Sequence, residues 1–237
     1  MRTAAILPVK RFAGAKQRLG ASVADPLRLA LARAMVADVL RALAEADSIE
    51  RTIVVTREPA VAVAAREQGS IAIDDEAESG QPAAVTLGVQ RALADGFDRV
   101  LCVPGDCPAL DAGELDALLR AAPSPGVEAA ARVGEPQVVI LPDRHGTGTN
   151  GLLLSPPDAI PPAFGPGSCE RHRELALAAG ISCRVEQLPS LLLDVDTGAD
   201  LAALRDRLSG HGARASHTRA VLGQPERTDV LPITTSA

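Results

Sequence analysis

Three observations predict an α/β protein built on a doubly wound, mainly parallel sheet. Short apolar runs alternate with longer stretches of helical spacing through the first half of the chain. The run Val100 to Val103 is apolar at both parities, as expected of a strand buried on both faces. That run breaks at Pro104-Gly105, and the first polar side chain beyond it is Asp106. A carboxylate just past the C-terminal end of a central strand stands where open α/β sheets place their ligands.

Thr3 to Val9 reads as the first strand. The segment that follows, Lys10-Arg11-Phe-Ala-Gly-Ala-Lys16-Gln-Arg18, carries four cations in a loop. Asp25-Pro26 opens a helix, with Asp25 as the expected N-cap and Pro26 at the first position. Leu27, Leu31, Met35, Val39 and Leu40 give that helix its apolar stripe. Thr52 to Val55 is a second strand and Pro59 to Gln68 an alanine-rich helix. Ile71 to Ile73 is a third strand that ends in Asp74-Asp75-Glu76. Pro82 to Ala94 is helical by spacing, Asp98 to Val103 is the central strand, and Asp111 to Ala121 is a helix with the stripe Leu115, Leu118, Leu119.

The second half is less regular. Val127 to Val133 and Pro136 to Leu141 read as paired strands around a turn at Gly134. Gly146-Thr-Gly-Thr-Asn-Gly151 precedes the apolar run Leu152 to Leu154 and a proline-rich connection from Pro156 to Pro166. Cys169 to Ala179 is a helix stopped by Gly180, and Ala199 to Leu208 is the last helix. Apolar periodicity ends near Gly210. The expected organisation is one domain over 1–209 and a flexible tail over 210–237.

Composition narrows the function classes. The 237 residues are 46% hydrophobic and 23% charged, enough for a full core, and the net charge is −6. An acidic chain with only three Phe, no Trp and no Tyr has neither the charge nor the stacking surfaces of a nucleic-acid binder. No stretch approaches the ~18 apolar residues of a membrane span. The four cysteines form no C-x-x-C pair, so buried thiols in a reducing, cytoplasmic setting are the expectation.

Three segments hold the residue types of phosphate chemistry. The basic loop after the first strand can cradle a triphosphate and offset charge on a leaving pyrophosphate; a solvated charged turn is the plainer alternative. Asp194 and Asp196 alternate around Val195, so in extended backbone both point to one face. With Asp106 they make a set of three carboxylates suited to Mg2+, which takes one or two carboxylates plus phosphate oxygens. The plainer alternative is turn chemistry, since Asp-x-Asp-Thr also reads as a helix cap. Phe164-Gly-Pro-Gly-Ser168 opens a helix, with Ser168 the expected N-cap and an anion-favouring terminus. Gly146 to Gly151 matches G-x-G-x-x-G formally, but no helix follows it, which excludes a dinucleotide fingerprint. A loop lining a pocket for a small phosphorylated acid fits better. His145 and His172 lack ligand spacing and read as hydrogen-bonding residues.

Taken in order, these motifs resemble the 2-phospho-L-lactate guanylyltransferase family, with its bacterial phosphoenolpyruvate guanylyltransferase members. The residues carrying the resemblance are Ile6-Leu-Pro-Val-Lys10 with Ala15-Lys16-Gln17-Arg18-Leu19, Val103-Pro-Gly-Asp106-Cys-Pro, and Gly146-Thr-Gly-Thr149-Asn. Phe164-Gly-Pro-Gly-Ser168 with Arg171-His172 and Leu193-Asp-Val-Asp-Thr197 complete it. The resemblance implies a Rossmann-like, GT-A-like nucleotidyltransferase sandwich that joins GMP from GTP to phosphoenolpyruvate or 2-phospho-L-lactate and releases pyrophosphate. It further implies a downstream transferase that consumes the unstable product in coenzyme F-420 synthesis. By the same resemblance, Thr149, Gly165 and Ser168 hold the acceptor. Lys10, Lys16 and Gly80 hold the nucleotide, Asp106, Asp194 and Asp196 hold Mg2+, and Asp106 and Lys16 act in catalysis. Where the family shows Gly-Leu-Asn, this chain has Gly80-Gln81-Pro82. A nucleotidyltransferase with another acceptor, a sugar phosphate or a molybdopterin, and a non-catalytic GTP-binding regulator remain the alternatives.

Overall fold

A computed structural model describes residues 1–14, 16–20, 23–121, 135–209 and 214–223. Seven strands form one sheet: β1 (Thr3–Val9), β2 (Arg51–Thr56), β3 (Ile71–Ile73), β4 (Arg99–Cys102), β5 (Gln137–Pro142), β6 (Thr149–Ser155) and β7 (Ser182–Val185). Their order is β3-β2-β1-β4-β6-β5-β7. All neighbouring pairs are parallel except those made by β6, which runs antiparallel to β4 and β5.

The strand parity seen in the sequence divides the core into two layers. Ala5, Leu7, Leu101 and Leu141 face one side of the sheet, where they pack with α1 (Asp25–Glu45), α2 (Pro59–Glu67) and α4 (Ala112–Arg120). Ala4, Ile6, Val100 and Ile140 face the other, packing with α3 (Gln81–Ala94) and α5 (Ser168–Ala178). Strands buried on both faces are what make the runs continuously apolar. Gly88 lets α3 lie close against β1, since a Cβ there would meet Ile6 Cγ2 at 2.5 Å. No helix among the described residues is long and apolar enough to cross a membrane.

Several local expectations change. Ala24, not Asp25, is the N-cap of α1; the Asp25 carboxylate pairs instead with Arg28 at 3.1 Å. Ser168 is the first helical residue of α5, and its N-cap is Gly167 in the left-handed region at φ 70°. β5 does form, but it pairs with β6 and β7, and Val127 to Val133 lies outside the described residues. β7 escaped the sequence reading because only two of its four residues, Cys183 and Val185, are apolar.

The expected flexible tail needs the largest correction. Ser216–Leu222 forms a further helix, α7, which joins α6 (Gly198–Leu208) and α1 in a third apolar cluster with Leu31, Met35 and Leu204. Its N-terminus sits on the buried Asp38 carboxylate of α1, which accepts from the backbone N–H groups of His217 (3.1 Å) and Thr218 (2.8 Å). An anion at a helix N-terminus is favoured by the exposed N–H groups and the helix dipole. A seven-residue helix is marginal alone. Its partner lies 180 residues away in sequence, so no local pattern announces it. Residues 224–237 lie outside the described residues.

Candidate active site

The sheet order reverses direction at β1, whose neighbours are β2 on one side and β4 on the other. The loops leaving the C-terminal ends of β1 and β4 therefore splay apart over a crevice. The β4 loop supplies Asp106. The β1 loop supplies Lys10, which is exposed at the crevice, and Lys16.

Lys16 sits in the left-handed backbone region at φ 55°, ψ 36°, uncommon for a residue with a Cβ. This places its ammonium between two carboxylates. It donates to Asp106 Oδ2 and, at 2.6 Å, to Asp196 Oδ1. Its side chain is only 10% exposed. Burial alone would lower its pKa; the charges of Asp106 and then Asp196 outweigh burial and hold it above the ordinary lysine value. Lys16 is a permanent cation here. The loop is held by Glu58 Oε2, which accepts from the Phe12 N–H at 3.1 Å, and by the Arg11–Glu78 ion pair.

The segment carrying Asp194 and Asp196 is tied to the β4 loop by backbone: the Val195 N–H donates to the Asp106 carbonyl at 3.1 Å. The Asp196 carboxylate reaches Lys16, and Asp194 Oδ1 accepts from Asn150 Nδ2 at 3.2 Å. Burial raises the Asp194 pKa, the nearby charge of Asp106 raises it further, and the Asn150 bond partly offsets both. Asp196 does not cap α6. Thr197 does, in a capping box with Asp200. That frees the two aspartates from the turn chemistry that was their plainer reading. Two segments thus bring Asp106, Asp194 and Asp196 into one electrostatic neighbourhood, and the β1 loop adds Lys16. They do not make a finished cage: among the described residues no three His, Cys, Asp or Glu side chains stand close enough to hold a metal ion. One feature does suit a hard cation, because Asp106 Oδ1 is buried and has no hydrogen-bond partner among the described residues.

Two cavities meet at this cluster. The first, about 590 Å³, is bordered by Lys10, Lys16, Asp75, Gly80, Gln81 and Met35 among others. Gly80, at φ 100°, is the N-cap of α3, so the helix terminus faces this cavity. The second, about 450 Å³, is bordered by Thr149, Asn150, Gly165, Ser168 and Asp194. Gln81, Pro104, Asp106 and Asp196 line both. The residues expected to hold nucleotide and those expected to hold acceptor therefore fall into separate but adjoining cavities.

The second cavity has a floor the sequence did not reveal. His172 is fully buried beneath Thr149, with the Phe164 ring edge-on at 5.2 Å. Its Nε2 lies 2.9 Å from the Ala163 backbone N–H, which can only donate, so Nε2 carries the lone pair. Neutral His172 is then protonated on Nδ1 and donates to Thr149 Oγ1 at 3.1 Å. The Thr149 hydroxyl hydrogen is left to serve the cavity. Burial, aided by the charge of Arg171, lowers the His172 pKa to about 4 and keeps this neutral state in place. Arg171 also braces the Phe164-Gly-Pro-Gly loop, donating to the carbonyls of Pro166 (2.7 Å) and Ala163 (2.9 Å). Gly165 there takes φ 120°, open only to glycine. The expectation of a hydrogen-bonding His172 holds, but nothing local named its partners, and nothing local gave Asn150 a role.

A family model described as guanylyl transferase, CofC-like, matches residues 3–223. The chain belongs to the CofC-like guanylyl transferase family. The matched span includes α7, in keeping with its place in the fold. Among relatives, a phosphoenolpyruvate guanylyltransferase of Conexibacter woesei is 47% identical over 97% of this chain and 99% of its own length. One of Sphaerobacter thermophilus is 38% identical over 89% and 94%. Among solved structures, a putative nucleotide-diphospho-sugar transferase from Desulfovibrio desulfuricans superposes with TM-score 0.68 at 19% identity, covering 94% of each chain. This structural likeness shows a Rossmann-like α/β fold.

Proposed function

We propose that this chain transfers GMP from GTP to phosphoenolpyruvate or 2-phospho-L-lactate and releases pyrophosphate. The observation that carries the reading is the shared wall of the two cavities, where Asp106 and Asp196 stand between a nucleotide-sized cleft and a smaller polar pocket, with Lys16 bonded to both from the cleft side. Group transfer between two substrates requires their reacting phosphates to meet at such a boundary. The relatives named phosphoenolpyruvate guanylyltransferase support the choice of nucleotide and acceptor.

In this reading the acceptor's phosphate oxygen attacks the α-phosphorus of GTP, and the bond from that phosphorus to the β-bridging oxygen breaks. The acceptor is already anionic, so no protein base is needed. Thr149, Gly165 and Ser168 orient the acceptor, and Lys10 and Lys16 stabilise charge on the departing pyrophosphate. Gly80 lets the backbone approach the nucleotide at the start of α3. Asp106, with Asp194 and Asp196, would hold Mg2+; the all-oxygen donor set and the unpartnered Asp106 Oδ1 suit that ion. Bound there, Mg2+ would neutralise negative charge on both phosphates.

The test is pyrophosphate release, with mass spectrometry of products, from the purified protein with GTP, Mg2+ and each acid in turn. The downstream transferase is included to consume the unstable product. Absence of pyrophosphate with both acids overturns the proposal, and turnover only with a sugar phosphate or molybdopterin redirects it.

A further inference from the structure

We propose that Asp75 reads the nucleobase, its carboxylate accepting from the two adjacent N–H donors of guanine, and so sets the preference for GTP. The inference deepens the guanylyl-transfer reading and rests on it.

Asp75 is an anomaly of the fold. It follows β3, is only 8% exposed, and borders the 590 Å³ cleft. Its Oδ1 is shielded from water and has no hydrogen-bond partner among the described residues. The turn around it does not use that oxygen. The Glu78 N–H bonds the Asp75 backbone carbonyl at 3.2 Å, Arg57 donates to the Glu76 carbonyl at 3.2 Å, and Asp74, not Asp75, pairs with Arg57. A buried acceptor left unmade is costly, and such a group calls for an explanation in a ligand or a function.

Its position in the sheet says which part of a ligand it meets. The order β3-β2-β1-β4 puts Asp75 three strand spacings from Asp106. At ~4.8 Å per spacing that is about 14 Å, the scale of a nucleoside lying between base and α-phosphate. The phosphates are assigned to the Lys16 end, so the base falls at the Asp75 end. Ala84, on the first turn of α3, lines the same cleft and offers apolar surface to a purine.

The chemistry then selects the base. An ionised carboxylate only accepts. Guanine alone among the common bases offers two donors side by side, N1–H and the 2-amino group. Adenine and cytosine pair one donor with a ring-nitrogen lone pair, and uracil flanks its N–H with carbonyls, so each sets an acceptor against the carboxylate. The competing role is a bond to ribose hydroxyls, which acids after a second strand commonly make. Here the acid after β2, Glu58, is already engaged with the Phe12 N–H.

The experiment compares GTP and xanthosine triphosphate with wild-type protein and Asp75→Asn, by calorimetric binding and by pyrophosphate release with phosphoenolpyruvate. Xanthine carries a carbonyl where guanine carries the amino group, so an asparagine amide matches it as the carboxylate matches guanine. Asp75→Asn is expected to lose GTP affinity ~100-fold, to gain xanthosine triphosphate, and to reverse the order of the two. An unchanged ratio of the two nucleotides overturns the inference, as does an equal fall for both, the mark of a ribose contact. Should Asp75→Asn fail to fold, as judged by its melting transition, wild-type protein is tested with inosine triphosphate and N1-methyl-GTP. Each lacks one donor and is expected to bind at least tenfold more weakly than GTP, and equal binding overturns the proposal. Wild-type protein that prefers GTP in calorimetry yet releases no pyrophosphate sinks the transfer reaction and leaves base reading intact.

Discussion

Acidification tests the buried histidine beneath the second cavity. His172 is fully buried, its Nε2 accepts from the Ala163 N–H, and its pKa falls from the ordinary 6.5 to about 4. The folded protein therefore resists a proton that the unfolded chain accepts readily. Between pH 6.5 and 4 the unfolded state binds more protons, so stability falls as pH drops through that window. Above 6.5 the stabilisation is complete, and below 4 it is fully lost. A depression of ~2.5 units corresponds to about 3 kcal/mol in full, and about 2 kcal/mol of that is lost by pH 5. The assay is urea unfolding of wild-type and His172→Asn proteins at pH 7.5 and pH 5.0. Other titrating groups, Asp194 among them, are present in both proteins and cancel in the double difference. Wild type should lose about 2 kcal/mol more than the variant. Equal losses would refute the neutral, Nδ1-protonated assignment, as would nitrogen NMR shifts showing a proton on Nε2 at pH 6.

Other expectations are as direct. Asp106→Asn should cut turnover ~100-fold or more, measured as steady-state pyrophosphate release, because a charge aimed at the reacting phosphates is lost; near-wild-type rates remove Asp106 from the mechanism. Lys16→Met leaves Asp106 and Asp196 facing each other without their shared cation and should lower kcat/KM for GTP by a similar factor. Thr149→Val should raise KM for the acceptor ~10-fold while KM for GTP stays fixed, since the hydroxyl lies in the second cavity alone. Asp38→Ala removes the acceptor for two backbone N–H groups of α7 and should cost ~2–4 kcal/mol in urea unfolding, with kcat unchanged.

What the chain declares by itself follows from short-range physics. Strands buried on both faces must be apolar at both parities, so β1, β2 and β4 show plainly, and Pro104-Gly105 marks where the central strand must end. The glycines at 165 and 167 and the cations at 10 and 16 likewise mark the loops that border the two cavities, because turn geometry and charge are local properties. Packing decided the rest. That Asp196 does not cap α6 was decided by Thr197 taking that place, and the position of Asp194 and Asp196 beside the β4 loop by the Val195 N–H finding the Asp106 carbonyl 89 residues away. The role of His172 depended on the donor that meets Nε2, and that donor is a backbone group no composition signals. α7 exists because Asp38 waits for it on another helix. Periodicity encodes which face of an element is apolar; which polar atoms then find each other across the fold is fixed only when the elements pack.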